Sequence, residues 1–128
     1  MKASEVIFYQ RTFTNEEVIQ FGELTQNKAS VHVETDSRGR LMVQGSLTAS
    51  LPIKICADLN IIGQETDLKF VAPVFTGDTI TCRLLVEGVE VVRKGTRVWC
   101  SWICTNQDNE TVLTGNSRGI CLSAPLSK

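Results

Sequence analysis

The sequence has no excess of charge of either sign, and this absence narrows the possible partners. Its 128 residues carry 13 basic and 14 acidic side chains, which are scattered along the chain rather than gathered in one stretch. Proteins that bind nucleic acid neutralise its phosphates with clustered lysine and arginine side chains. We therefore expect no nucleic acid partner.

The sequence also lacks a long apolar run. Near its start it carries Lys2, Glu5 and Arg11 around a short apolar patch. This patch does not have the pattern of a signal peptide core, and it is too short to span a bilayer. We expect no membrane partner and a cytoplasmic protein.

Side chains that bind metals are few. There is one histidine, and the odd number of cysteines includes no C-x-x-C pair, so we expect no metal site. Cys100 and Cys104 are separated by an even number of residues in a strand-like run, which places both on one face. We interpret the cysteines as reduced thiols of the core rather than as catalytic or disulfide-bonded residues. They are Cys56, Cys82, Cys100, Cys104 and Cys121.

No repeat or linker interrupts the chain, so we expect a single domain over residues 1–128. Residues 5–13 are rich in β-branched and aromatic side chains and predict a first strand. Thr14 and Glu17 have the spacing of a capping box, which predicts a helix over residues 15–24.

A second helical pattern covers residues 46–59, where leucine or isoleucine recurs at intervals of four. Pro52 interrupts this pattern and predicts a kink, and Gly63 is a candidate stop. The rest predicts strands at residues 66–74, 78–92, 96–105 and 111–122. Helices followed by an antiparallel meander indicate an α+β hotdog-like fold, in which a curved sheet wraps a long central helix.

His32 is the strongest candidate for chemistry on its residue type alone. It is the only histidine, and it follows a predicted helix end and the polar stretch LTQNKASV. Imidazole gives and takes a proton near neutral pH, which suits a general acid or base. The alternative is a surface or core histidine without a catalytic role.

Four stretches of the sequence together resemble the MaoC-like hotdog family of (R)-specific enoyl-CoA hydratases and 3-hydroxyacyl-thioester dehydratases. They are FTNEEVIQFGELTQNKASVH, VQGSLTASL, LKFVAPVFTGDTITCRLLV and NQDNETVLTGNSRGICL, and they cover nearly the whole chain. In that family the first helix ends in a Leu-Thr/Ser-Gly-Asp-x-Asn-Pro-x-His pattern. His32 takes the place of its histidine, and Asn27 takes the place of its catalytic aspartate.

The resemblance implies an acyl-thioester substrate, carried on coenzyme A or on an acyl carrier, and no separate cofactor. It implies that the thioester carbonyl binds at the start of the central helix, at Gly45 and Ser46. It also implies a homodimer, because small hotdog subunits leave the thioester tunnel to be completed by a partner. The family's Val-His-Gly is Val43-Gln44-Gly45 here, which keeps the glycine and loses the histidine.

Asn27 leaves the reaction open, because a carboxamide can orient a water molecule but takes up no proton at neutral pH. Glu34 could substitute for the missing aspartate, or it could be a solvated loop acid. The hypothesis that the protein is a hydratase or dehydratase therefore has two alternatives. One is a thioesterase on the same fold, and the other is a non-catalytic acyl-thioester-binding subunit that forms a heteromer with an active relative.

Overall fold

A five-stranded antiparallel sheet and four helices make up the fold in the computed structural model, which describes residues 1–122. The strands are β1 (Val6–Thr12), β2 (Ile61–Phe70), β3 (Thr79–Val92), β4 (Gly95–Thr105) and β5 (Thr111–Leu122). The helices are α1 (Asn15–Thr25), α2 (Ser30–Val33), α3 (Gly45–Thr48) and α4 (Ser50–Asp58). The spatial order of the strands is β1-β3-β4-β5-β2, so β1 and β2 form the two edges.

The first strand and helix form as the sequence predicts. The Thr14 hydroxyl accepts a hydrogen bond from the Glu17 amide at 3.1 Å, and the Glu17 carboxylate accepts one from the Thr14 amide at 3.0 Å. This reciprocal capping box starts α1 where the spacing indicated it. The helix ends at Thr25, and the following residue, Gln26, has a φ of 63° that turns the chain toward the next segment.

The central helix is interrupted close to Pro52, where the sequence predicts a kink. It is divided at Ala49 into a first turn, α3, and a longer segment, α4. The break lies three residues before Pro52 rather than at it. Proline has no N–H for the carbonyl four residues earlier, here Thr48, so the helix is disrupted in the turn that precedes the ring.

Gly63 was wrongly predicted to stop this helix. The helix ends at Asp58, and Asn60, with a φ of 61°, turns the chain directly into β2. The prediction placed this strand at residues 66–74, whereas it begins at Ile61 and ends at Phe70. The predicted strands at residues 78–92, 96–105 and 111–122 agree with β3, β4 and β5 to within one residue.

The core lies between α4 and the inner face of the sheet. Val98, Cys100, Trp102 and Cys104 alternate inward along β4 and are buried, as their even spacing indicated. The five cysteines are free thiols. No helix within residues 1–122 has the length and apolar character needed to cross a membrane.

Candidate functional site

The orientation of His32 is set by a backbone carbonyl that lies ten residues further along the chain. His32 is the third residue of the single turn α2, and its Nδ1 lies 2.7 Å from the Met42 carbonyl oxygen. Because a carbonyl only accepts hydrogen bonds, Nδ1 carries the hydrogen and donates it. The neutral ring therefore has its free lone pair on Nε2, which is the arrangement a general base requires.

Further backbone hydrogen bonds tie the segment that holds His32 to the connection between β2 and β3. The Met42 amide donates to the Val31 carbonyl at 2.9 Å, so Met42 contacts α2 through both of its backbone groups. The Val43 amide donates to the Val74 carbonyl at 2.8 Å, and Met42 also forms a bridge with Phe75. These bonds fix the histidine turn against the chain that enters the central helix.

Asn27, His32, Gly45 and Ser46 line one cavity of about 590 Å³. The structure therefore brings together the two predicted catalytic residues and the two predicted thioester-binding residues. Glu34 is exposed and is not among the residues that line this cavity. The remaining lining residues are Met42, Val43, Thr48, Phe70, Val71, Ala72, Pro73, Val74 and Val112.

The start of α3 faces this cavity with unused backbone donors. Among the described residues, no acceptor pairs with the amides of Gly45 or Ser46, as is expected for the first turn of a helix. Gly45 also has no space for a side chain, since a Cβ there would lie 2.5 Å from the Phe70 ring. The glycine thus allows the aromatic ring to pack directly on the backbone that offers these donors.

Gln44, which stands where the resembled family has a histidine, is fully buried just before this helix turn. Its Nε2 donates to the Val18 carbonyl at 3.0 Å, which ties α1 to the start of the central helix. It is not among the residues that line the cavity. Gln44 therefore holds two elements together rather than facing a ligand.

Sequence reasoning missed two contributions to this site. Met42 acts through its carbonyl, which every residue type carries, so no sequence signal could have found it. Phe70 lies in the stretch that resembled the family, but its packing on Gly45 depends on the register of β2. Its apolar neighbours Val71, Ala72 and Val74 complete one wall.

A larger cavity of about 740 Å³ lies elsewhere on the sheet and contains none of the predicted site residues. Its lining includes Glu65, Asp67, Glu87, Trp99 and Arg118. The Arg118 guanidinium donates to the Glu65 carboxylate at 3.2 Å, and the Ser101 hydroxyl donates to the Glu87 carboxylate at 2.7 Å. Within residues 1–122, no group of three or more histidine, cysteine or acidic side chains is placed to hold a metal ion.

Comparison with solved structures identifies the fold. The R-hydratase PhaJ1 from Pseudomonas aeruginosa superposes with a TM-score of 0.83 and 20% identity, over 97% of this chain and 84% of that one. A MaoC-like dehydratase from Rhodospirillum rubrum gives a TM-score of 0.78 and 17% identity, over 98% and 96% of the two chains. The chain has the hotdog fold.

Two of the solved structures that match this fold are described as complexes, ChsH1-ChsH2 and HadBC, both from Mycobacterium tuberculosis. The HadBC 3R-hydroxyacyl-ACP dehydratase complex from Mycobacterium tuberculosis matches with a TM-score of 0.67 and 16% identity, over 94% of this chain and 97% of that one. No family model and no curated protein matches the sequence.

Proposed function

We propose that this protein is a hydratase or dehydratase that interconverts 2-enoyl and 3-hydroxyacyl thioesters. The observation that carries the proposal is the cavity shared by His32, Asn27 and Gly45, in which the Met42 carbonyl fixes the ring of His32. Three solved proteins of this fold, at 20% identity or less, are described as hydratases or dehydratases, which supports the reaction class.

In the hydration direction, the proposed reaction begins with His32. Its Nε2 takes a proton from a water molecule, whose oxygen bonds to C3 of the enoyl group. Negative charge then develops on the thioester oxygen, where the free amides of Gly45 and Ser46 would stabilise it. The protonated His32 returns its proton to C2, so the elements of water are added and no other reactant is consumed.

Asn27 has a narrower role in this proposal than an aspartate would have. Its carboxamide offers two N–H donors and one acceptor oxygen, so it can hold the water molecule beside His32. It cannot share the proton, and His32 therefore carries out both proton transfers. The coenzyme A or acyl carrier is part of the substrate, and the proposed reaction needs no further cofactor.

The proposed assembly is a homodimer in which the second copy pairs with β2. This strand is at the edge of the sheet, and nine of its ten residues are exposed. Its exposed apolar side chains include Ile62, Leu68 and Phe70. Because Phe70 also lines the His32 cavity, a copy paired along β2 would lie beside the cavity and could close one side of it.

The test is an assay with crotonyl-CoA that follows loss of the enoyl absorbance and release of free thiol separately. Wild type is expected to consume the enoyl group without releasing thiol. His32→Ala should lower this rate by about 10²- to 10⁴-fold, which is the usual contribution of a positioned acid or base. Glu34→Gln is the matched variant outside the cavity and should keep the wild-type rate.

Asn27→Asp then distinguishes an active hydratase from a subunit that binds acyl thioesters without turnover. A carboxylate at this position could share the proton transfers, so the rate should rise. Thiol release by wild type would instead indicate the thioesterase. Binding of acyl-CoA without turnover, reversed by Asn27→Asp, would indicate the non-catalytic subunit. Full activity of His32→Ala would contradict the assignment of His32 as the acid or base.

A further inference from the structure

Helix α1 contains a glycine, Gly22, three residues before its last residue, Thr25. Glycine inside a helix lowers stability relative to alanine, because its backbone loses more conformational freedom on folding. Gly22 is buried, and its backbone is helical, so no left-handed conformation requires a glycine there. The atoms that lie against its Cα therefore decide which residue fits at this position.

The turn that carries Asn27 lies against Gly22. After α1 ends, the left-handed backbone of Gln26 directs the chain back toward the helix. The Asn27 amide donates to the Thr25 hydroxyl at 3.4 Å, and the Asn27 carbonyl oxygen would lie only 3.1 Å from a Cβ on residue 22. A side chain at residue 22 would therefore press on the backbone of Asn27, which lines the His32 cavity.

Gly22 has a second neighbour, the buried side chain of Gln44. A Cβ on residue 22 would lie 3.4 Å from Gln44 Nε2, which is the near limit of an ordinary van der Waals contact. The contact with Asn27 is tighter, so the Asn27 backbone would have to move by a few tenths of an ångström. An added methyl group would therefore displace Asn27 and only touch Gln44.

We propose that Gly22 is a positioning residue, which sets the place of Asn27 relative to His32. This inference rests on the proposed function, in which the Asn27 carboxamide holds the attacking water molecule. Because the Asn27 backbone lies directly on α1, the helix fixes the point from which the carboxamide reaches that water. A shift of this point would move the water away from the position that His32 requires.

Gly22→Ala tests this role by crotonyl-CoA hydration and thermal unfolding. Alanine favours the helix, so Tm should stay within roughly 4 °C of the wild-type value. The value of kcat should fall about 3- to 10-fold, in proportion to the roughly 10²-fold loss that 1 Å of misplacement can cause. KM should change little, because the amides of Gly45 and Ser46 lie on another element. Gln20→Ala, at an exposed position of the same helix, is the matched control and should keep the wild-type kcat.

Two further measurements show whether the effect passes through Asn27. Asn27→Ala removes the carboxamide, so in this background Gly22→Ala should lower kcat by less than about twofold. A merely structural role of Gly22 would lower kcat by the same factor in both backgrounds. The NMR signals of the Asn27 side-chain amide, which need no substrate, should shift in Gly22→Ala and stay unchanged in Gln20→Ala.

The outcomes distinguish failure of this inference from failure of the proposed function. A wild-type kcat for Gly22→Ala, equal losses in the two backgrounds, or unshifted Asn27 signals would overturn the inference and leave the hydratase proposal intact. A Gly22→Ala protein that does not fold, or whose Tm falls by more than about 4 °C, would assign the glycine to packing and also overturn it. If wild type hydrates no 2-enoyl-CoA, both proposals fall.

Discussion

At the scale of single residues, the site depends on backbone groups as much as on side chains. Residue type alone made His32 a candidate, and the family resemblance added Asn27 and Gly45; the three residues line one cavity. The sequence could not identify the Met42 carbonyl, which orients the histidine ring at 2.7 Å. It also could not show that Glu34 would lie outside the cavity, because that depends on how the segment after α2 turns.

The packing of Phe70 on Gly45 gives a prediction at this scale. Gly45→Ala would place a Cβ 2.5 Å from the ring, so Phe70 must move and the variant should lose about 1 to 3 kcal/mol in free energy of unfolding. Crotonyl-CoA hydration should fall as well, because the ring and the Gly45 amide line the same cavity. Urea denaturation and the enoyl assay measure the two effects.

Gly88→Ala is the matched control for this change. A Cβ there would make an ordinary contact of 3.7 Å with Trp99, so this variant should keep the wild-type stability. Adding Phe70→Ala to Gly45→Ala should remove the clash, so the two substitutions together should cost less than the sum of their separate effects. Additive losses would show that the ring is not what Gly45 accommodates.

At the scale of elements, the sequence predicted best where a local signal fixes a boundary. The capping box set the start of α1, and the turns before β3, β4 and β5 set those strands to within one residue. The boundary between α4 and β2 was wrong because Gly63 is a typical helix stop, whereas Asn60 made the turn earlier. A left-handed asparagine leaves a much weaker signal than a glycine.

The capping box also predicts how the stability of α1 depends on pH. The hydrogen bond from the Thr14 amide, together with the nearby Arg11 guanidinium, lowers the pKa of Glu17 from its ordinary value of 4.5. Ionised Glu17 therefore stabilises the folded protein fully above pH 4.5, its pKa in the unfolded chain. This stabilisation is lost as the pH falls through the lower pKa that Glu17 has in the folded protein. Glu17→Gln should remove this part of the acid sensitivity.

Unfolding free energies measured across this acid range would check the effect. As the pH falls, the free energy of unfolding should decrease more for wild type than for Glu17→Gln. The advantage of wild type over this variant should therefore shrink. Thr14→Ala should cost about 1 kcal/mol at neutral pH, since it removes the cap of the Glu17 amide. A constant difference between wild type and Glu17→Gln would contradict the shifted pKa.

At the scale of the whole molecule, the two edges of the sheet are not equivalent. Strand β1 has seven residues, whereas β2 has ten residues and ends at the His32 cavity with Phe70. Both edges carry exposed apolar side chains, Phe8 on β1 and Leu68 on β2. The proposed homodimer uses only the β2 edge. Because β2 ends at the His32 cavity, loss of the dimer should also lower the activity.

Leu68→Lys tests that link, with Phe8→Lys as the matched substitution on the other edge. A lysine on a pairing edge strand opposes association, so Leu68→Lys should convert a dimer to a monomer in light scattering after size exclusion. It should also lose most crotonyl-CoA hydration, because the cavity then lacks the wall that the second copy provides. Phe8→Lys should remain dimeric and active. Dissociation by Phe8→Lys alone would place the interface at β1, and a monomeric, active wild type would show that the cavity is complete within one chain.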